Sequence, residues 1–526
     1  QHHNERYFIL KSIIVNNLYG VDIMEEAVEI CKLRLFLKLI AQVENGKDIE
    51  PLPDIDFNIR AGNTLVGFSS IDEVRQAFMS DGQQMRMLYP EEEAQIKRIE
   101  EEADLANRSY LQFQRQQLDK GSVTHQDKVI LQKRLSQLNN ELNRALARTY
   151  GIDPDTLGYS PWLESHRPFH WLVDFFGIMN QGGFDVIIGN PPYLEQNQVN
   201  YVTNGYKTSN TGTIHAMCIE RSITLAERGN ISLIVPLSLV STQRMKIVQE
   251  VLENCRSVWY SNFSWRPGKL FDTVNRALTI FISTKTKDTH TFSSSYQKWT
   301  SETRALLMQR INFVEVDRNR PMPWVPKIGH TIEKNILKKF QKIPTKLGNF
   351  TSPSGPKVYY RTTGGLYWKI FTDFPPSFTV NGKQGHSSRE TWFNLIKKDH
   401  VLPSIAILSS DFFWWWYTIS SNCRDLNPFD IQNFPIPESS ISDKKIFDQG
   451  AIFLQDITEN SEMAIRIQKQ TGRTETQTFK IQKSKQIINH IDKILSIHFD
   501  LTDEEIDFII NYDFKYRMGA SAEESD

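Results

Sequence analysis

The residues best suited to chemistry stand in one short run, Gly189-Asn190-Pro191-Pro192-Tyr193, directly after the apolar stretch Phe184 to Ile188. The stretch reads as a buried strand, and two successive prolines cannot continue a sheet ladder, so they form a rigid loop where the strand ends. Open α/β sheets place their ligands at the carboxyl ends of strands. A proline-stiffened turn alone does not explain a carboxamide and an aromatic ring flanking it. The pair has a use in methyl transfer to an exocyclic amine such as adenine N6, whose lone pair is delocalised into the ring. Two acceptors on the amino group, one side-chain carbonyl and one backbone carbonyl, favour a pyramidal nitrogen and stabilise the positive charge that develops. Asn190 Oδ1 and the Pro191 carbonyl suit that role, and Pro191 and Pro192 keep competing N–H donors out of the loop. Tyr193 would stack on the base, which must first leave the duplex.

Such a loop needs a parallel sheet beneath it, and the sequence supplies the alternation of strands and helices. Leu18-Tyr19-Gly20-Val21-Asp22 reads as a strand ending in an acid, followed by a helix over Glu25 to Ile40 and a second strand from Phe57 to Ala61 that leads into Gly62-Asn63-Thr64-Leu65. From Phe184 the pattern resumes, with helices near 216–226 and 244–252 and strands near 231–235, 258–263 and 277–282. Between Glu91 and Arg148 ten acids balance ten bases and Gly121 is the one glycine or proline, which predicts a helical hairpin turning near Lys120-Gly121-Ser122. Mixed charge of this kind favours a solvated spacer over a catalytic element, with a docking or DNA-clamping arm as the alternative. Beyond residue 300 the pattern turns irregular and aromatic, with proline junctions at Pro321-Met322-Pro323 and Pro435-Ile436-Pro437. A helical region is expected over Ser442 to Arg517, then an acidic tail, Ala520 to Asp526.

On these motifs the sequence resembles the gamma-type adenine-N6 DNA methyltransferases of the type IIG restriction-modification or phage-defence kind. The resemblance implies a Rossmann-like fold dependent on S-adenosylmethionine. Asp22 and Ile23 would correspond to the motif that holds the cofactor's ribose, and Asn63 and Thr64 to the one that contacts its adenine. Pro168-Phe169-His170-Trp171 and the Asn190 to Tyr193 loop resemble the catalytic motif and its lead-in, with Asn190 also at the cofactor. Lys269-Leu270-Phe271-Asp272 resembles the later motif whose aromatic faces the flipped base; by chemistry alone Phe271 reads as core. His215, in Thr213-Ile214-His215, stands where the family has an Asp or Asn. The family's glycine-rich first motif should precede Leu18, and no Gly-x-Gly occurs before Asp22, so the chain reads as lacking the first strand and its cofactor-cradling loop. The expected division is a partial cofactor-binding half at 1–68, a charged helical insertion at 69–160, a catalytic half at 161–300, a mixed α+β target-recognition domain at 301–440 and a C-terminal helical region with its acidic tail at 441–526.

The 526 residues, 40% of them hydrophobic, exclude general disorder and a single small module. A formal charge of -1 excludes a global field toward nucleic acid, so any DNA-binding face must be local. Residues 301–350 supply one candidate, with ten Lys and Arg against four acids. Arg361 and Lys369, among interleaved aromatics and glycines, and Arg424 are candidate DNA contacts. The run Phe412-Phe413-Trp414-Trp415-Trp416-Tyr417 reads as core. Four scattered cysteines argue against a disulfide framework or a zinc site, and no metal is assigned. The expected setting is the cytoplasm of a prokaryotic cell, with double-stranded DNA as partner and a nuclease segment or restriction subunit elsewhere. Two alternatives stay open: a DNA-binding recognition fragment without activity, and an N-methyltransferase acting on protein glutamine or RNA.

Overall fold

A computed structural model describes residues 4–43, 52–81, 84–85, 87–118, 125–318, 322–363, 367–468 and 472–519. The expected hairpin turn at Lys120-Gly121-Ser122, Arg320, Pro321, the Gly364-Gly365-Leu366 stretch and the tail from Ala520 lie outside them. The chain divides into two compact units, the first comprising 1–233, 250–256 and 282–287 and the second 234–249, 257–281 and 288–526.

In the first unit, α1 (Glu5–Asn17) begins at Asn4, whose side chain accepts from Tyr7 N at 3.0 Å. It leads to β1 (Gly20–Asp22), α2 (Glu25–Ile40) and β2 (Ile59–Ala61). β1 and β2 pair in parallel, Gly20 opposite Ile59 and Asp22 opposite Ala61, the arrangement expected for two strands joined by a helix. Tyr7, Ile14, Val28, Leu39, Ile55 and Ile59 form the core beneath them. After α3 (Ile71–Met79) come the long helices α4 (Pro90–Leu118) and α5 (His125–Thr149). Ile96, Ile99, Ala103, Ala106 and Phe113 of α4 meet Leu131, Leu135, Leu138, Leu142 and Leu146 of α5 in the unit's largest apolar cluster. The three- and four-residue spacings put each set on one helix face. Short helices α6 (Tyr159–His166) and α7 (Trp171–Asp174) precede β3 (Val186–Gly189), then α8 (Ile214–Leu225) and the start of β4 (Asn230–Pro236).

The following strands are β5 (Arg256–Phe263), β6 (Leu278–Lys285), β7 (Thr291–Gln297) and β8 (Val314–Glu315), in the order β8-β7-β5-β6; the second unit holds β7, β8, β5 from Ser257 onward and β6 as far as Phe281. β7 runs parallel to β5 and antiparallel to β8. After α9 (Thr331–Lys342), a three-stranded antiparallel sheet places β9 (Thr351–Arg361) between β10 (Phe371–Thr372) and the later strand Glu390–Leu395. The aromatic run lies on α10 (Asp411–Ser420), every residue of which is buried, so it is core as expected. Asp411 at its start accepts from Lys485 at 2.5 Å and from Arg517, which ties the last helical segments to it. The expected all-helical C-terminus is interrupted: Ser461–Gln468 and Gly472–Phe479 form a β-hairpin. The β-branched Ile465 and Ile467 on one strand and Thr474, Thr476 and Thr478 on the other favour extended backbone. Among the described residues no helix is long and apolar enough to cross a membrane.

Candidate active site

The Asn190 to Tyr193 loop leaves the carboxyl end of β3, which pairs in parallel with β4 from Val186 opposite Asn230 to Gly189 opposite Leu233. The Tyr193 hydroxyl donates to Asn190 Oδ1 at 2.6 Å. A carboxamide oxygen has two lone pairs, so Oδ1 can still accept from a second donor. Asn190 is exposed and Tyr193 half-buried. The following segment folds back on itself through Ile214 N to Leu194 O at 3.0 Å and Gln196 N to Gly212 O at 2.8 Å. The strand is not buried as expected: Val186 and Ile188 are 58% and 78% exposed. Strand side chains alternate between faces, and only Ile187 turns toward the cluster of Phe169, Trp171, Phe175 and Leu225.

The same unit positions the residues expected at the cofactor. Asp22 ends β1 exposed, and its Oδ1 accepts from Met24 N at 2.8 Å. The Ile23 carbonyl accepts from the Arg167 guanidinium at 2.9 Å. Arg167 takes a left-handed conformation (φ 43°) that closes α6, and its own carbonyl accepts from Asn63 N at 2.8 Å. Asn63 is buried; Oδ1 accepts from Leu65 N at 3.1 Å, while Nδ2 has no hydrogen-bond partner among the described residues. The Thr64 carbonyl lies 3.4 Å from Trp171 Nε1. Gly67, at φ +140°, lies against Phe169, where an added Cβ would fall 2.0 Å from the Phe169 carbonyl oxygen, so the turn requires glycine.

Several supports of this loop were not singled out from the sequence. Tyr206 donates to the Leu65 carbonyl at 2.8 Å and accepts from Arg221 Nε at 2.8 Å, and Arg221 also reaches the Gly67 carbonyl at 3.2 Å. His170 stacks on Phe68 with ring centres 5.2 Å apart. Its Nδ1 accepts from Phe68 N at 3.1 Å, which leaves Nε2 to donate to Asn143 Oδ1 at 3.0 Å. Burial, reinforced by the Arg221 charge, pushes the His170 pKa down to about 3. Asp174, one turn on, pairs with Arg60 at 2.9 Å and accepts from Asn139 Nδ2 at 3.2 Å. Burial raises its pKa, against the pull of Arg60 and Asn139. The expected solvated spacer thus faces the loop through Asn139 and Asn143 of α5. No spacing rule announces these contacts, because the partners lie 27 and 35 residues apart in the chain. His215 is buried at the start of α8.

Phe271 belongs to the second unit, and it is exposed rather than core. Arg304 donates to the Lys269 and Leu270 carbonyls, each at 2.7 Å, and so holds the loop that carries it. Of the three expected DNA contacts, Lys369 is corrected. It is buried with Nζ 4.7 Å from the centre of the Tyr417 ring, and burial lowers its pKa to about 8. Arg361 sits on β9 opposite Glu390, and Arg424 is exposed. Thr362 joins their surroundings: its N–H donates to the Arg389 carbonyl and its own carbonyl accepts from Leu426 N, both at 2.8 Å. On the same sheet face Tyr359 lies opposite Trp392, and Lys357 Nζ is 4.2 Å from the Trp392 ring centre. Much of the basic block 301–350 is engaged internally, Lys339 with Glu505 at 2.6 Å and Arg318 with the Trp324 carbonyl at 2.9 Å.

The loop with its Asn-Pro-Pro-Tyr run, the strand-end acid and the Asn63 turn all fall within one stretch of sequence that is similar to known proteins. Residues 16–267 match the Eco57I restriction-modification methylase family. A chain of Methanocaldococcus jannaschii, named as a type II restriction enzyme and methyltransferase, is 33% identical over 215 residues. That alignment covers 34% of this chain and 18% of the relative, so the chain spans under a fifth of the length of the curated relative it matches. Among solved structures, the type IIL restriction-modification enzyme MmeI in complex with DNA aligns over 100% of this chain and 73% of its own at 9% identity, with a TM-score of 0.36. A nuclease-deletion mutant of the type ISP enzyme LlaGI aligns over 90% of this chain and 57% of its own at 10% identity, with a TM-score of 0.30.

Proposed function

We propose that the chain carries the methyl-transfer and target-recognition parts of a DNA methyltransferase that modifies adenine N6 of a flipped-out base, within a restriction-modification or phage-defence system. The observation that carries this reading is the carboxamide and ring of Asn190 and Tyr193, joined at 2.6 Å, on a rigid loop at a strand's carboxyl end. In this reading Asn190 Oδ1 and the Pro191 carbonyl accept from the amino group, and Tyr193 stacks on the base. S-adenosylmethionine fits the remaining groups of the first unit. Its ribose hydroxyls can donate to the exposed Asp22 carboxylate, and a ring nitrogen of its adenine can accept from the buried, unpartnered Asn63 Nδ2. Bound there, the group supplies an electrophilic methyl. DNA contact is assigned to Arg361, Arg389 and Arg424 of the second unit.

The experiment is adenine methylation, read by single-molecule sequencing, of host DNA from cells expressing the chain, with Asn190→Ala as control. Methylation at one motif that vanishes in the control is the expected result. Unaltered methylation in Asn190→Ala would sink the assigned chemistry. If neither chain methylates, the chain is not an active methyltransferase by itself and the assigned chemistry fails.

A further inference from the structure

The hairpin α4–α5 meets the candidate cofactor loop through two amides one helical turn apart. Asn139 and Asn143 project from one face of α5 toward His170 and Asp174, which are themselves one turn apart around α7. His170 and Asp174 are both buried. We propose that Asn139 and Asn143 are positioning residues, through which the helical hairpin holds the Gly62–Phe68 loop in the shape that presents Asn63. The proposal rests on the reading that this loop receives S-adenosylmethionine.

The argument is one of complementary hydrogen bonds. Phe68 N donates to His170 Nδ1 at 3.1 Å, so the ring proton must sit on Nε2, where it needs an acceptor. Asn143 Oδ1, 3.0 Å away, is that acceptor. With an apolar residue at 143 the Nε2–H is left buried and unsatisfied, and moving the proton to Nδ1 would set it against the Phe68 N–H. Either way the far end of the loop loses its anchor. At the near end, Asp174 is shared between Asn139 Nδ2 at 3.2 Å and Arg60 at 2.9 Å, and Arg60 lies on β2 directly before Ala61 and Gly62. Other contacts between the two segments include the backbone bonds Asn63 N to Arg167 O and Phe169 N to Val66 O, both at 2.8 Å, and Leu172 N to Phe68 O at 3.2 Å, with Trp171 Nε1 3.4 Å from the Thr64 carbonyl. They fix where the segments touch; the two amides tie that contact to the hairpin.

The test uses the full chain and its Asn143→Leu, Asn143→Asp and Asn139→Ala variants, with two readouts: hydrogen exchange of peptides over residues 62–68, and the Kd for S-adenosylhomocysteine by calorimetry. Asn143→Leu is expected to speed exchange at the loop about tenfold and weaken the Kd about tenfold, while the protection of α4 and α5 is retained. Asn143→Asp, which keeps an acceptor for Nε2–H, is expected to restore both to within about threefold. Asn139→Ala, the milder change because Asp174 keeps Arg60, should move the same peptides about threefold and decides the matter if Asn143→Leu does not fold. Unchanged exchange at 62–68 in the variants, or equal loss of protection throughout the hairpin, overturns the proposal. A wild-type chain that binds no S-adenosylhomocysteine overturns the cofactor reading alone, because exchange still reports whether the brace exists.

Discussion

Asn190 and Tyr193 share one hydrogen bond, and that bond separates what the ring does from what the hydroxyl does. Removing the hydroxyl with Tyr193→Phe leaves a face to stack on and frees the Asn190 carboxamide to rotate, a loss of about 1 kcal/mol of orientation and about fivefold in methyl transfer. Tyr193→Ala removes the stack as well, and base–aromatic stacking contributes about 1–3 kcal/mol on top of that, so a total loss of about thirtyfold to about eight hundredfold is expected. Tritium transfer from labelled S-adenosylmethionine to duplex DNA measures both; equal losses in the two variants would contradict a stacking role. At this scale the sequence was informative where a residue acts through its own type and place. Asp22, Asn63, Asn190 and Tyr193 all stand at or just past strand ends, where the sequence pattern puts them. Lys369 shows the opposite case. Its neighbour Tyr417 lies 48 positions further along, and a basic residue among aromatics and glycines gave no sign that it would be covered. For Phe271 the general rule and the family resemblance pulled apart: a ring beside a strand is usually core, and this one is exposed.

Between α5, α7 and the Asn63 loop, the buried His170 gives the packing of these elements a pH signature. Its folded pKa is depressed to about 3, so between that value and its ordinary 6.5 the unfolded chain binds a proton that the folded chain refuses. Stability from this site is complete above pH 6.5 and falls as pH drops, with a limiting slope of about 1.4 kcal/mol per pH unit. Asp174 acts in the opposite sense, since burial raises its pKa and its contribution is lost as pH rises through the folded value. It is present in both wild type and His170→Gln, so the difference between the two isolates the histidine. Urea unfolding at pH 7.0 and 5.5 should show wild type losing about 1.2 kcal/mol more than His170→Gln over that interval, and equal losses would mean that His170 is accessible to protons in the folded chain. The α4–α5 hairpin was legible as helix from its composition, while its buried apolar face was not singled out. Its grip on the loop was not, because two asparagines on a charged helix look like any solvated surface. The C-terminal β-hairpin was legible in principle, from the β-branched Ile465, Ile467, Thr474, Thr476 and Thr478, and was overridden by the helical character of the flanking sequence.

For the whole molecule, a formal charge of -1 sets a limit on how DNA can be held. With no global field, affinity has to come from a few cations placed together, and many lysines and arginines of the basic block already serve internal carbonyls and carboxylates. One cluster that remains is the end of the β9 sheet, where hydrogen bonds through Thr362 bring the chain positions of Arg361, Arg389 and Arg424 together. Arg361 faces Glu390 across the ladder, so Arg389 and Arg424, both exposed, carry most of the available charge. Each cation that neutralises a phosphate contributes about -0.9 to the slope of log K against log salt. The double variant Arg389→Ala, Arg424→Ala should therefore flatten that slope by about 2 in a fluorescence-anisotropy titration of duplex DNA, with an unchanged melting temperature because both side chains are exposed. A flattened slope without a change in target motif would assign them to the phosphate backbone; a changed motif would assign at least one to a base edge. An unchanged slope and affinity would remove this sheet end from the DNA interface and leave the exposed Lys338, Lys342 and Arg310 as the charge that the proposed function requires.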